Sequence, residues 1–253
     1  DFGEPRALIT MVTVAGLIFS VAGTIAALQR PDNRTGAQML AVGLLWSVGA
    51  LQLADRPIVF TIGYLLSGLA FVAFAHLILS YPSGRLRPGD EWIVWAVLAI
   101  VTLGPLAISL VDASPIPGCD DCPESAFLVT DSTALARAAG FALGLSAAAV
   151  ATVVFIRLIR RFRAASPPLR RVIGPVYFFT LIALIGLVTS NLAWTFDENA
   201  GLAIEIAALA ALALMPVAFL AGILRTRLQR AGIADLVIAL GLSPARNAVQ
   251  RAV

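Results

Sequence analysis

The chain has 253 residues, of which 59% are hydrophobic and 13% are charged. Charged residues make up about a quarter of a soluble domain, so this composition excludes an ordinary water-soluble fold. All 18 basic residues are arginines, which excludes a catalytic lysine, and they are dispersed among loops without an aromatic platform, so the net charge of +3 does not indicate a nucleic-acid partner.

Seven segments lack Asp, Glu and Arg over about the length of a bilayer crossing. A helix rises about 1.5 Å per residue and the hydrocarbon core is about 30 Å thick, so a crossing needs roughly 20 apolar residues. The segments are residues 7–29, 35–54, 57–84, 92–111, 138–156, 172–196 and 206–224. The sequence therefore predicts an all-α, polytopic membrane protein with seven transmembrane helices.

The arginines predict how these helices are oriented. Three arginines, Arg6, Arg56 and Arg137, fall on one side, and the other fifteen follow the first, third, fifth or seventh segment. Cytoplasmic loops carry the excess of basic residues. We therefore expect a multi-pass protein of the plasma membrane with its N-terminus outside and its C-terminus in the cytoplasm.

Near the end of the third segment, His76 precedes a turn that contains Pro82 and Gly84. These two residues are expected to end the helix, and Arg85 and Arg87 to anchor the turn to anionic headgroups. A lone intramembrane histidine most often packs through a hydrogen bond, because a proton relay needs partners at the same depth. His76, Arg85 and Arg87 are therefore assigned to packing or conformational coupling rather than to catalysis.

The longest loop, residues 112–132, is acidic and Pro-rich and contains the two cysteines, Cys119 and Cys122. Thiols on the outer side of a membrane tend to pair, so a disulfide clip is the favoured interpretation. A redox-sensing pair and a metal site are the alternatives. Two cysteines fall short of the four ligands of a structural zinc site, so no metal is predicted.

The fifth segment repeats small residues at every fourth position: Gly140, Gly144, Ala148 and Thr152. Such a face allows close approach of helix backbones in a bilayer. It predicts packing either within the bundle or between the protomers of a homodimer, with membrane lipids as the other neighbours. Weaker repeats of the same kind occur at Gly16 and Ser20 and at Gly43 and Ser47.

Glu205 lies at the start of the seventh span and is the only carboxylate assigned to a span. A charge at the bilayer centre costs about 2.5–3.5 kcal/mol on an insertion scale, so such residues are functional candidates. Asn191 and Trp194 on span six, and Tyr64 with Ser67 on span three, lie at the same outer level. We expect Tyr64, Asn191, Trp194 and Glu205 to form an outward-facing ligand pocket; the alternative is a shallow Glu205, interfacial aromatic rings and an interhelical Asn191.

After the seventh segment, residues 226–253 are expected to form a cytoplasmic linker. No Pro or Gly occurs from residue 223 to 231, which predicts about two further turns of helix beyond the bilayer. An amphipathic segment, 231–242, and a Ser-Pro helix start follow. The chain thus divides into a seven-helix membrane sensor domain, residues 1–225, and a signalling linker, residues 226–253, at the start of a further domain.

Three segments resemble a known family: HLILSYPSGRLRPGDEW (76–92), CDDCPESAFLV (119–129) and RLQRAGIADLVIALGLSPARNAVQRAV (227–253). They are similar to the N-terminal region of multi-spanning sensor histidine kinases of two-component systems from high-GC bacteria. The resemblance implies a kinase half with a phosphoacceptor histidine and an ATP-binding domain, for which ATP and Mg are the cofactors and a response regulator is the partner. This chain contains neither motif, so no catalytic residue and no cofactor are expected in it.

The expected function is a sensor module that passes an extracellular or bilayer signal through its last helix to a cytoplasmic histidine kinase. A small-solute transporter or channel subunit is the alternative, and Glu205 is the one residue that suggests an ion site. A membrane-embedded enzyme would need His, Asp, Glu or Ser residues clustered at one depth, and the sequence shows no such cluster.

Overall fold

The computed structural model describes residues 6–29, 31–116, 122–193 and 199–222, without the side chains of residues 6–10, 191 and 192. In these ranges the chain is helical and has no strand. Seven segments of the described chain are long and apolar enough to cross a membrane. The prediction of an all-α protein with seven potential spans is confirmed to that extent, whereas the orientation of the termini stays a prediction.

Eight helices and one 3-10 helix make up these seven spans in the described ranges. The helices are α1 (Arg6–Gln29), α2 (Thr35–Val48), α3 (Pro57–Ser67), α4 (Leu69–Ser80), α5 (Glu91–Val111), α6 (Thr133–Ala164), α7 (Pro167–Ala193) and α8 (Asn199–Gly222). The 3-10 helix, Gly49–Leu53, extends α2. Helices α3 and α4 together form the third span, which a turn at Gly68 interrupts without leaving the right-handed helical region.

Several helices begin or end at residues other than the ends of the apolar segments in the sequence. Helix α6 begins at Thr133, where the side chain of Ser132 accepts a hydrogen bond from Leu135 N at 3.5 Å. At its other end the arginines as far as Arg163 stay helical, as expected of a good helix-forming residue. The third span ends earlier than expected, at Ser80, because Tyr81 is extended and Pro82 follows it.

One end of the bundle is formed by the connections 31–34, 81–90 and 165–166, and we call it the arginine-rich end. Asn33 donates a hydrogen bond to the carbonyl oxygen of Pro82 at 3.2 Å, which joins the first two of these connections. Arg161, near the end of α6, donates to the carbonyl oxygen of Leu79. These contacts bring the ends of the first, third and fifth spans together.

The opposite end is formed by the connection 54–56 and the described parts of the loop 112–132, and we call it the cysteine-loop end. Ser125 donates its hydroxyl to the carbonyl oxygen of Ser109 at 2.6 Å. The backbone N–H of Ala126 donates to Thr61 Oγ1 at 2.9 Å. The second half of this loop is therefore fixed to the third and fourth spans.

Helix α8 has the largest buried share of the seven described spans. Of the residues in its most apolar window, 39% are buried, against 6% in the corresponding window of α6. Leu212 and Met215 of α8 belong to the same buried cluster as Phe19 of α1 and Val176 of α7. Since lipid is as apolar as these side chains, the association depends on close packing and not on exclusion of water. Any displacement of α8 must therefore be accommodated by several neighbouring helices.

Small residues bring α1 and α2 into close contact. A Cβ atom added at Gly23 would overlap the backbone of Leu40, and one added at Gly36 would overlap the backbone of Ala27. At Gly43 it would overlap Ser20 and lie 2.7 Å from the carbonyl oxygen of Gly16. The weaker small-residue repeats in the sequence are thus the ones that join two helices of this chain.

The stronger repeat on α6 does not make such a contact in the described part of the chain. A Cβ atom at Gly140 or Gly144 would meet no atom within 4 Å, and both glycines are exposed. Ala148 is half-buried. Packing of the two glycines within the bundle is therefore not observed, and a role for this face in dimerisation stays a prediction.

Candidate functional site

A cavity of about 490 Å³ lies between the helices in the half of the bundle nearer the cysteine-loop end. Its walls come from α1, from the end of α2 with its 3-10 extension, from the middle of the third span, and from α7 and α8. The loop residues Ile116 and Cys122 also line it. Ligand-binding cavities typically measure about 300–1,000 Å³, so this one has room for a small organic molecule.

Glu205 lines this cavity from α8 and is half-buried. It lies six residues beyond the start of α8, which places it about 9 Å along the helix. Among the described lining residues, Glu205 is the only one whose side chain carries a formal charge. The position is thus suited to contact a molecule in the cavity, while ligand binding by Glu205 stays a prediction.

Of the other three residues of the predicted pocket, Tyr64 is the one whose side chain the structure describes. Ser67 lines the cavity, but Tyr64 is not among its described lining residues. Residues three apart differ by about 60° around a helix, so one can face a cavity that the other does not. Asn191 belongs to α7, but its side chain, and the whole of Trp194, lie outside the described residues.

Two aromatic side chains that the sequence analysis did not select contribute to the cavity. Trp46 of α2 and Phe71 of α4 both line it, with ring centroids 5.8 Å apart and ring planes inclined by 55°. An aromatic residue inside an apolar segment gives no sequence signal of its own, because cores and lipid contacts use the same residues. Only the three-dimensional arrangement shows that the two rings share a cavity with a carboxylate.

The arginine-rich end holds a buried ion pair. Asp90 is 2% exposed and forms a salt bridge with Arg161 of α6. Arg157, one helical turn earlier, places Nη1 3.6 Å from Asp90 Oδ1. The positive charge of Arg161 also interacts with the side chain of Tyr177 on α7. This group joins the connection 81–90 to two further helices.

Tyr81 extends this group to α8. Its ring centroid lies 6.2 Å from that of Tyr177 and 5.6 Å from that of Phe219 on α8. Tyr81 is buried and its peptide bond to Pro82 is cis. We call the group Tyr81, Asp90, Arg157, Arg161, Tyr177 and Phe219 the ion-pair cluster. It connects the fifth, sixth and seventh spans to the connection that follows the third.

Asp90 is not among the residues predicted from the sequence to be functional, and Arg157 and Arg161 are predicted only as arginines of a loop. An acid beside Gly89 in a charged connection is normally solvated, so its burial has no direct signal in one sequence. The available signal is indirect: two arginines four residues apart on a helix share a face, and an acid on the same side of the membrane can pair with both.

Outside the ion-pair cluster, most residues of the 76–92 segment are only partly buried or are exposed. His76 is half-buried on α4, and Arg85 and Arg87 are exposed. Gly84 has φ +72°, and Gln38 of α2 donates to its carbonyl oxygen at 3.3 Å. The connection is thus held against the start of α2, while coupling through His76, Arg85 and Arg87 stays a prediction.

Cys122 takes part in a disulfide bond. Cys119 lies with residues 117–121 outside the described residues, so the predicted pairing of the two cysteines stays a prediction. No group of three or more His, Cys, Asp or Glu side chains that could hold a metal ion occurs in the described part of the chain.

The linker predicted at residues 226–253 also lies outside the described residues, which end at Gly222. Comparison of the chain with protein-family models, curated proteins and solved structures finds no match. The cavity and the ion-pair cluster share one helix, α8.

Proposed function

We propose that this chain is a membrane sensor module in which the cavity receives the signal and α8 conducts it to the arginine-rich end. One observation carries the proposal: Glu205 in the cavity and Phe219 in the ion-pair cluster lie on the same helix. They lie fourteen positions apart, which corresponds to about 21 Å of helix. A displacement of α8 at the cavity reaches the cluster without a relay through other elements.

The distribution of arginines supports an orientation for this module. In the described residues the arginine-rich end carries Arg34, Arg85, Arg87, Arg157, Arg160, Arg161, Arg163, Arg170 and Arg171, and the opposite end carries Arg56 and Arg137. The positive-inside rule then places the arginine-rich end in the cytoplasm of a plasma membrane, with the cavity in the outer half. An external or bilayer signal would leave through α8 on the cytoplasmic side.

The packing at the arginine-rich end favours a sensor over a channel. Tyr81, Arg161 and Tyr177 fill the space between helices there, and Asp90 is buried beside them. A cavity at one end and a packed cluster at the other fit a receptor whose helices shift by about 1–2 Å between two states. In this proposal a cytoplasmic histidine kinase domain, a response regulator and a second copy of the chain are the partners.

Distances between spin labels test whether the cavity is coupled to the arginine-rich end. Ala164 on α6 and Ala221 on α8 are exposed near that end, so labels at Ala164→Cys and Ala221→Cys report the position of α8. We expect Glu205→Gln to shift the distance distribution in lipid nanodiscs, because removal of the charge alters the equilibrium between positions of α8.

Asp131→Asn is the matched control, since Asp131 is an exposed acid at the same end of the bundle and does not line the cavity. It is expected to leave the distribution unchanged. Identical distributions in the wild type and in Glu205→Gln would contradict the proposed coupling.

A further inference from the structure

Arginines outnumber acids around the ion-pair cluster. Arg161 and Arg157 face Asp90, and the backbone N–H of Asp90 donates to the carbonyl oxygen of Arg87 at 3.1 Å. The charges of Arg87 and Arg161 both act on the side chain of Tyr177, so Arg87 lies beside the same cluster. Three arginines thus surround one buried carboxylate.

The acids nearby do not balance this charge. Glu91 follows Asp90 in the chain and is exposed. Over the described part of the arginine-rich end, nine arginines stand against three acids, which are Asp32, Asp90 and Glu91. An excess of arginines at a membrane surface attracts anionic lipids.

Two of the three arginines beside Asp90 are open to the surroundings. The side chain of Arg157 is 44% exposed, against 10% for Arg161, and its contact with Asp90 is the longer one at 3.6 Å. Arg87 is exposed as well. The planar guanidinium offers several N–H donors in a fork that matches the geometry of a phosphate. Because Asp90 keeps Arg161, Arg157 can bind a further anion without leaving the buried carboxylate alone.

Two tryptophans mark the level of the membrane surface beside these arginines. Trp92 and Trp95 lie about one turn apart at the start of α5 and are 49% and 68% exposed. Trp92 comes two residues after Asp90, the partner of Arg157. Exposed tryptophans concentrate where the hydrocarbon of a bilayer meets its headgroups. Arg157 and Arg87 are therefore at the depth of the lipid phosphates.

Apolar surface continues from this level toward the centre of the bilayer. Helices α5 and α6 run antiparallel, since Asp90 faces Arg157 while a Cβ atom added at Gly104 would overlap the side chain of Leu143. On the bilayer side of the arginines, both helices carry exposed apolar side chains that acyl chains can contact. Examples are Leu103 on α5 and Ile156 on α6.

We infer that an anionic phospholipid binds at this surface, with its phosphate between Arg87 and Arg157 and its upper acyl chains beside Trp92 and Trp95. The phosphate joins the connection 81–90 to α6. Phosphatidylcholine is disfavoured because its choline cation meets an excess of arginines, whereas phosphatidylglycerol carries a net negative charge. This binding site lies outside the cavity and does not depend on the proposed sensor function.

Quenching of Trp92 and Trp95 by brominated lipids measures binding at this surface. The chain has four tryptophans, so Trp46→Phe and Trp194→Phe leave these two as the only reporters. The protein is reconstituted in phosphatidylcholine vesicles that contain increasing fractions of phosphatidylglycerol with brominated acyl chains. A parallel series contains phosphatidylcholine brominated in the same way. The two series give the ratio of the binding constants of the two lipids.

The wild-type ratio is expected to favour the anionic lipid by about 25-fold. Each arginine near the membrane surface contributes about fivefold, which corresponds to about 1 kcal/mol, and two arginines contact the phosphate. Arg157→Gln is expected to lower the ratio about fivefold. Arg87→Gln is expected to do the same, and since Arg87 is exposed in a connection, this variant keeps the test decisive if Arg157→Gln does not fold.

Arg34→Gln is the matched control. Arg34 is exposed at the same end of the bundle but belongs to the connection 31–34, so its replacement is expected to leave the ratio nearly unchanged. An equal reduction in Arg34→Gln and Arg157→Gln would show diffuse attraction to the whole end and overturn the site. Equal binding of the two lipids by the wild type, or an unchanged ratio in Arg87→Gln, would overturn it as well. Since the measurement involves neither Glu205 nor α8, its outcome is independent of the sensor proposal.

Discussion

Asp90 lies in a site where a charge is stable only because two arginines face it. The carboxylate is almost completely buried and contacts Arg161 and Arg157 on consecutive turns of α6. Breaking a buried pair by removing one partner leaves a buried charge uncompensated and costs about 3–5 kcal/mol. The side chains of the pair therefore hold the connection 81–90 in place.

The first prediction concerns this pair. Arg161→Gln and Asp90→Asn are each expected to lower the thermal unfolding midpoint of the protein in nanodiscs. Asp90→Asn leaves the buried Arg161 without its carboxylate, and Arg161→Gln leaves Asp90 with only the more exposed and more distant Arg157. Arg160→Gln removes the neighbouring arginine, which is exposed, and is expected to change stability by no more than about 0.5 kcal/mol. Equal midpoints for Arg160→Gln and Arg161→Gln would show that the buried pair does not stabilise the fold.

The second prediction compares two glycines of the same connection. Gly84 and Gly89 have φ of +72° and +86°, so alanine at either position would be strained by about 1–2 kcal/mol. Only at Gly84 does an added Cβ meet other atoms, with Asn33 Oδ1 at 2.6 Å and Arg34 N at 3.0 Å, while at Gly89 it meets none within 4 Å. Gly84→Ala should therefore unfold at a lower temperature than Gly89→Ala in the same thermal melt. An equal loss in both variants would mean that the contact with the first connection is unimportant.

Among the helices, two small-residue faces have opposite surroundings. Gly43 on α2 faces the backbone of α1 with no room for a side chain, whereas Gly144 on α6 faces open space in the described chain. Close backbone approach is the usual basis of helix association in lipid. The two faces therefore differ in the partner that they can contact.

The third prediction uses leucine at these two positions. Gly43→Leu should separate α1 from α2 and lower the thermal stability of the chain, because overpacking a close contact costs about 1–3 kcal/mol or more. Gly144→Leu should leave thermal stability unchanged and shift the oligomer distribution toward the monomer in light-scattering measurements. If Gly144→Leu alters neither quantity, this face of α6 contacts lipid and not a second copy.

The positions of the spans could be predicted from the sequence because the bilayer imposes a length and an apolar composition on each of them. The residues at which the helices end could not be predicted in this way. Helix α6 continues through Arg157 and Arg161, and this polar extension is the part that carries the buried pair with Asp90. An apolar segment shows which residues lie in lipid. It does not show whether the helix continues beyond the lipid.

Of the four residues assigned to the pocket from the sequence, Glu205 is the one found among the described lining residues of the cavity. Glu205 stands out because carboxylates are rare in spans. Trp46 and Phe71 resemble ordinary apolar residues in the sequence, and only the structure shows that they line the same cavity as Glu205. Tyr64 and Ser67 are both predicted at the outer level of the bilayer, but level does not determine which side of a helix faces a cavity, and of these two residues Ser67 lines it.

At the scale of the molecule, the bundle has two chemically different ends joined by its most buried helix. The fourth prediction tests the orientation of these ends. Asp131 is exposed at the cysteine-loop end and Ala164 at the arginine-rich end. A membrane-impermeant thiol reagent should label Asp131→Cys in intact cells and Ala164→Cys only after the membrane is permeabilised, because arginine-rich connections stay in the cytoplasm. Labelling of Ala164→Cys in intact cells would reverse the orientation.

The central claim is that the cavity and the ion-pair cluster are coupled through α8. Amides of the connection 81–90 report on the cluster, since Gly84 N and Asp90 N donate backbone hydrogen bonds at 3.0 and 3.1 Å. Hydrogen–deuterium exchange of this connection in nanodiscs, compared between wild type, Glu205→Gln and Asp131→Asn, is the most direct measurement. The account predicts that Glu205→Gln alone changes the exchange of 81–90, although it acts about 20 Å away along α8. The same exchange in all three proteins would contradict it.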